Sequence, residues 1–483
     1  MTRTHEIMFG EWLPSAPSFK NPGCEVAKNC IPKAGGAYGP LRSLEAGGAS
    51  ASAPVRGAEL LFNTADDAVI VGGTATSLFV QTTALTETTG LSSISEGEAW
   101  DFARFNDFVF ATAENNAPQY LTDIDSDTSW SAVPGSPPNA KRCAKVGEFL
   151  MLGSISGAPN RIQWSPYNNP AGTWGTDRLT QAGLADLDSN FGEVMRIVGG
   201  RYATVFQKRG IQRLTYVGPP AVWRADVIEE DRGCVAPFGI ASLGYLHYFL
   251  AEDGFFVTNG SSVQPIGTNR INAWFFDNVN PDKISQTQAV VDWENEVVVW
   301  AFISGSGGYD TLLFYSWAHN RWSYAEVSVD WVVGAKEAGI NLDSLDAIYG
   351  DLDSIPLSLD SSLFRPGASI LGAYVSGAYN TFTGTPYEAT WETGETQPSP
   401  MQRVFVSEVM PIAEVDDWDF KARLKFRNNF GAQSTSAQVS TGWSGGAPVR
   451  GEGQKMAVEL VKPAGEWSNV QGAQVRYKAA GYR

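Results

Sequence analysis

Carboxylates, a single row of cations and a scatter of 16 tryptophans are the residues of this 483-residue chain whose types and spacing could do chemistry. The densest acidic stretch is Asn341–Ser362, NLDSLDAIYGDLDSIPLSLDSS, which repeats a Leu-Asp-Ser step three times. It carries Asp343, Asp346, Asp351, Asp353 and Asp360 with no Lys or Arg among them. Oxygen ligands at this density can bind calcium, but an EF-hand needs acids at alternate positions and a closing Glu, and that spacing is missing. Asp and Ser bond their own backbone two residues on, so each step favours a turn. The stretch reads as an ordered acidic loop laid over a β scaffold, presenting an exposed or channel-facing acidic surface.

Other carboxylates are paired along the chain at Glu229-Glu230-Asp231, Glu252-Asp253 and Asp416-Asp417. Glycoside cleavage needs two carboxyls facing each other across a cleft, about 5 to 10 Å apart, and sequence adjacency does not supply that. These pairs read as surface turns. The three histidines, His5, His247 and His319, are not spaced for a shared metal, and Cys24, Cys30, Cys143 and Cys234 form no CxxC pair and read as free thiols. With no G-x-S-x-G, Walker A or H-E-x-x-H motif either, no catalytic, cofactor-binding or metal-ligating residue is assigned, and the chain is not expected to be an enzyme.

The concentrated cationic feature is Phe420–Arg427, the cleanest alternation in the chain. Phe420, Ala422, Leu424 and Phe426 share one face of a strand, and Lys421, Arg423, Lys425 and Arg427 share the other. That row can pair with acids on a neighbouring strand such as Glu414 and Asp416, dock on an acidic partner, or touch phosphate.

The elements that position these residues read as β throughout. Helical periodicity is nearly absent, and 50 Gly, 26 Pro and 12% aromatic residues suit turn-dense sheet. A formal net charge of −17, from 35 basic and 52 acidic residues, argues against a surface that grips nucleic acid. It suits one past which DNA slides. The N-terminus lacks the apolar core of a secretory signal, and no run approaches the roughly 18 apolar residues of a membrane span. Folding in a cytosol is the expectation.

In order, residues 1–57 form an extended arm punctuated by proline, with Trp12, Phe19, Ile31 and Tyr38 as spaced anchors suited to lying on a partner. Residues 58–384, including the acidic loop, form a series of similar units. Phe108, Phe149, Tyr202, Tyr248 and Val297 mark them at intervals of 41, 53, 46 and 49 residues, about one four-stranded propeller blade each. A β-propeller of about six blades is predicted, with five or seven also possible, and the region from Trp331 to Tyr379 completing the ring. Ser165-Pro-Tyr-Asn168 before Gly172-Thr173-Trp174 faintly resembles the Asp-box turn of sialidase propellers, a structural hairpin. Residues 385–483 read as a separate β-sandwich-like module.

Several short motifs together carry a family resemblance. They are Phe9-Gly10-Glu11-Trp12-Leu13-Pro14 running on to Asn29-Cys30-Ile31-Pro32; Leu214-Thr215-Tyr216-Val217-Gly218-Pro219; Asp253-Gly254-Phe255-Phe256 with Pro265-Ile266-Gly267; Arg321-Trp322-Ser323; and the Leu-Asp-Ser stretch. With these the chain resembles the tail hub or nozzle proteins of short-tailed bacteriophages, which are also described as stabilising packaged DNA. The resemblance implies a propeller body and a ring, most often a hexamer, below the head-to-tail adaptor. It further implies contact with tail fibre, spike or needle proteins, passage of double-stranded DNA without sequence-specific binding, and a place in the virion after assembly in the host cytoplasm. It supplies no catalytic residues. A carbohydrate- or receptor-binding propeller, adhesin or glycosidase-like, is the alternative.

Overall fold

The computed structural model describes residues 3–65, 67–82, 84–336, 369–399, 402–415, 417–428 and 431–480. Most strands at the centre of a sheet are continuous apolar runs rather than alternating ones: Val297–Phe302 (VVVWAF), Phe149–Ile155 and Ser77–Gln81 are buried along their whole length. Such strands need cover on both faces, and a ring of sheets supplies it, each sheet covering the next. Hairpins close where a residue at positive φ permits a tight turn matched to strand twist, as at Asn106 (φ 56°), Gly147 (φ 56°) and Gly244 (φ 61°).

The result is a β-propeller. Antiparallel four-stranded meanders span 58–89, 101–132, 140–186, 194–229, 241–265 and 288–329. A further sheet is built from Trp331–Lys336, Ser369–Val375 and Ala378–Thr381, and its fourth strand is Glu45–Ser50 from the N-terminal arm. The described residues therefore form seven blades, at the upper end of the predicted range; the markers omitted the blades at 58–89 and 331–381. The ring is closed by chain ends: Ala378 pairs with Ser50, Asn380 with Ala46 and Thr381 with Glu45. First strands of most successive blades touch around the axis, and the last, Trp331–Lys336, meets the first, Ala58–Phe62.

The C-terminal residues form a two-sheet sandwich, but not by themselves. One sheet orders Cys30–Pro32, Tyr38–Pro40, Asn469–Ala479, Val404–Glu414 and Gly451–Gly453, with Arg3–Met8 also paired to Asn469–Ala479. The other continues from the outer strand of the sixth blade, Arg321–Val329, through Cys24–Lys28 to Ala389–Thr393, Lys455–Lys462 and Lys421–Arg427. Propeller and sandwich thus share one ten-stranded sheet. This corrects the expected boundaries: residues 1–57 are no free arm and 385–483 no separate module, because the sandwich draws four strands from the arm and the propeller one. Burial is the physical reason. One apolar cluster runs from Phe255, Trp300 and Trp322 of the fifth and sixth blades through Phe9 and Trp12 of the arm to Trp391 and Phe420 of the sandwich.

Candidate functional site

The anchors expected to hold a partner hold the chain itself. Trp12 is fully buried, stacked on Tyr324 (4.9 Å between ring centres), set edge-on to Trp274 (4.8 Å), and donates Nε1–H to the Glu25 carbonyl (2.9 Å). Ile31 is buried among Val297, Val299 and Phe314 of the sixth blade. Tyr38, also buried, donates its hydroxyl to the Gly10 carbonyl (3.1 Å). Phe19 is half-buried, bridging to the backbone of Glu395, with the Lys455 ammonium 3.8 Å from its ring centre. The expectation that Trp12, Phe19, Ile31 and Tyr38 dock on another subunit is therefore corrected for Trp12, Ile31 and Tyr38, whose apolar surface is spent within the protomer, while Phe19 is half-buried against it.

The basic strand has the same fate. Arg423 pairs with Glu459 (2.5 Å), Lys425 with Glu392 (2.5 Å) and Arg427 with Glu395, and all three acids are buried. Glu392 and Glu459 stand directly opposite each other on paired strands, an arrangement that like charges destabilise unless cations intervene. The Arg and Lys row intervenes. Its partners do not include Glu414 and are acids that lie far off in sequence, and Asp416 lies outside the described residues. The arm covers this same face, for Ser18 and Lys20 exchange backbone hydrogen bonds with Glu395. Docking arm and basic strand do meet, within one chain. Lys421 stands at the end of the row opposite Val461 and Ser440. Asp343, Asp346, Asp351, Asp353 and Asp360 lie outside the described residues.

The propeller axis holds what the sequence did not announce. A cavity of about 420 Å³ is lined by first strands of several blades and contains Glu59, Asp101 and Arg196 among Trp100, Phe238, Trp293 and Trp331. Arg196 pairs with buried Asp101 (2.6 Å), and the guanidiniums of Arg142 and Arg196 lie 4.8 and 5.3 Å from the Phe238 ring centre. Burial is the largest influence on both acids and raises their pKa values, Asp101's against Arg196 and Arg142, and Glu59's to about 7 with Arg196 opposing. Phe238 and Trp331, edge to face at 5.3 Å, also line a second cavity of about 310 Å³ beside Arg56, Glu98 and Lys283. The two rings form the wall between the chambers. Only a pattern such as Glu59 in the otherwise apolar strand Ala58–Phe62 could have signalled this site.

A third concavity, about 360 Å³, is aromatic and open: Tyr167 and Tyr216, both more than two-fifths exposed, flank Phe149 and Trp223, with Glu148 and Arg201 also lining it. Among the described residues no group of three or more His, Cys, Asp or Glu side chains is arranged to hold a metal ion.

The architecture is thus a seven-bladed β-propeller welded to a sandwich. No family model matches the chain and no curated protein matches it in sequence. Among solved structures it is similar to the extracellular domain of the putative one-component system BT4673 from B. thetaiotaomicron, at 11% identity and a TM-score of 0.39. That match covers 83% of this chain and 46% of the other, so the chain spans about half that domain's length. It is also similar to the WD40 repeats of RRP9, at 8% identity and a TM-score of 0.36, over 60% of this chain and 89% of the other. The propeller assignment stands on the chain's own seven sheets.

Proposed function

We propose that the chain is a structural virion protein of a bacteriophage tail, a wall element that assembles into a ring, most readily a hexamer, below the head-to-tail adaptor and channels and retains genomic DNA. The supporting observation is the ten-stranded sheet shared by propeller and sandwich, which makes the protomer one rigid block. A ring wall has to resist deformation, and a covalent hinge between its parts would defeat that. The DNA path in this reading is the lumen of the ring and not the propeller axis. A duplex whose major groove alone is about 12 Å wide cannot pass between two rings 5.3 Å apart. The net charge of −17 keeps such a lumen from holding DNA by counter-ion release. Closed rings are also how head-to-tail contacts end without forming filaments. Native mass measurement with negative-stain imaging, on the purified chain alone and mixed with an adaptor ring, tests this. Hollow rings of about six copies are expected; protomers that neither close into rings nor bind the adaptor would rule it out.

A second reading, a carbohydrate- or receptor-binding propeller, is favoured by the open cleft of Tyr167, Tyr216 and Trp223 with Glu148 and Arg201 beside it. Exposed aromatic faces with a few polar groups are how sugar rings are held. Glycan-array binding lost on Tyr216→Ala, with a protomer that stays solitary, would select it over the first.

A further inference from the structure

The axial cavity contains one acid that the protein leaves without a base of its own. Asp101 has Arg196 at 2.6 Å and the Cys143 amide at 3.2 Å. Glu98 has Lys141 at 2.5 Å and Arg142 at 3.5 Å, and Glu114 shares Lys141 at 3.4 Å. Glu59 enters the same cluster from Ala58–Phe62, and its carboxyl makes no hydrogen bond or ion pair among the described residues; Arg196 and Asp101 are the charges that act on it. Glu59 is half-buried, and a carboxylate drawn partly out of water without a partner either takes up a proton or recruits a cation.

The walls around Glu59 suit a cation with an apolar body. Arg196 is held back by Asp101 and by the Phe238 face, so it does not fill the space beside Glu59. Leu60, Val290 and Val332 supply aliphatic surface, and Trp331 and Trp293 supply aromatic faces, which attract cations through the ring quadrupole. Trp293 is 54% exposed, edge-on to Trp317, and marks the mouth. The volume, about 420 Å³, lies within the about 300–1,000 Å³ usual for small-ligand sites.

We propose that the axial cavity binds a small organic cation, a primary ammonium or guanidinium on a short aliphatic stem, with Glu59 as counter-ion and Trp293 and Trp331 as its aromatic walls. The cation can arrive as a free amine or as the Lys or Arg side chain of a partner protein, since the recognised chemistry is the same. The inference is independent of ring assembly, because every residue it uses belongs to one protomer.

Calorimetric titration of the full chain at pH 8 with 1,5-diaminopentane, N-acetyl-arginine amide and the neutral N-acetyl-citrulline amide tests it. The expected result is one saturable site for at least one of the two cations and at least tenfold weaker binding of the neutral analogue. Preference for the arginine derivative indicates a side-chain source, and preference for the diamine a free one. Glu59→Gln should weaken the cation at least tenfold, while Glu230→Gln, an exposed acid on the fourth blade, should leave it within twofold. Should Glu59→Gln fail to fold, the wild-type protein decides: the ligand's methylene resonances should move upfield in the ring currents of Trp293 and Trp331. Absence of saturable cation binding, binding unchanged in a folded Glu59→Gln variant, or unshifted methylenes in the bound wild type would overturn the proposal.

Discussion

The guanidinium of Arg321 lies 4.5 Å from the centre of the Tyr38 ring, and through it the sixth blade grips the N-terminal segment. Arg321 opens the strand Arg321–Val329 and donates to the carbonyls of Lys33 (3.1 Å), Ala37 (2.9 Å), Gly36 (3.2 Å) and Gly10. One buried cation thus donates to four carbonyls, that of Gly10 and three in the turn between the paired strands Cys30–Pro32 and Tyr38–Pro40. Arg321→Ala strands the Lys33 and Gly36 carbonyls, while Ala37 keeps the Lys33 amide and Gly10 the Tyr38 hydroxyl; leaving an acceptor unpaired costs about 1–3 kcal/mol before relaxation. A net loss of about 3–5 kcal/mol in chemical denaturation is expected. Arg321→Lys, a point charge in place of a planar fork, should recover less than half of it; full recovery would show that charge alone matters.

A second prediction concerns ring closure. Without residues 1–51 the sandwich loses its four arm strands and the seventh blade lacks Glu45–Ser50, so that Ala378–Thr381, which carries the buried Tyr379, becomes a bare edge. Exposed edges pair with other chains. The truncated protein should run as soluble aggregates or pellet, and co-expression of residues 1–57 as a separate piece should return it to the size of the intact protomer on gel filtration. Truncated protein of native size and unchanged melting temperature would show that the strand is dispensable.

The charge ladder on the sandwich yields a third. Lys425→Glu sets a third acid beside Glu392 and Glu459 and should cost about 3–5 kcal/mol, as loss of one member of a buried pair does. Adding Glu392→Lys restores opposite signs, and a double-mutant cycle should return a coupling of at least about 1 kcal/mol. Additive effects within about 0.3 kcal/mol would mean that the 2.5 Å contact contributes nothing.

These three sites also show what could be read from residue order. Blade length, all-β character and the alternation of Lys421–Arg427 are local properties, and each follows from a period visible in a short window. Where the alternate faces point is not local. Nothing within Phe420–Arg427 identifies Glu459, Glu392 and Glu395 as its partners, because Glu459 and Glu392 come from two other strands and Glu395 from the segment after one of them. Trp12 and Tyr38 carry the composition of an interface, and an intramolecular interface needs the same composition as one between subunits. Glu59 is a single acid in an apolar strand, and only closure of the ring sets it beside Asp101 and Arg196.

The last prediction sets Glu59 against His247. His247 is buried, with Nδ1 3.0 Å from the Ser242 hydroxyl and its ring edge-on to Phe206, and burial pushes its pKa down from 6.5 to about 4. Between pH 6.5 and 4 the unfolded chain therefore binds a proton at this site that the folded one refuses, so the stability contributed by neutral His247 is lost as pH falls through that window. Glu59 runs the other way. Its folded pKa of about 7 lies above the ordinary 4.5, with Asp101 and Arg196 the charges facing it, so the folded state holds the extra proton and gains stability as pH falls from 7 to 4.5. One pKa unit is about 1.4 kcal/mol, and shifts of this size give opposing contributions of up to about 3 kcal/mol each. They overlap between pH 4.5 and 6.5 and largely cancel there. Glu59→Gln should uncover the histidine: the variant's own stability should fall as pH drops from 6.5 to 4, and relative to wild type it should lose stability from pH 7 to 4.5. His247→Gln should uncover the acid: the variant's own stability should rise as pH drops from 7 to 4.5, and relative to wild type it should gain stability from pH 6.5 to 4. Urea denaturation of the three proteins at half-unit pH steps reads both difference curves, and parallel curves for wild type and either variant would show that the group removed does not titrate differently in the folded state.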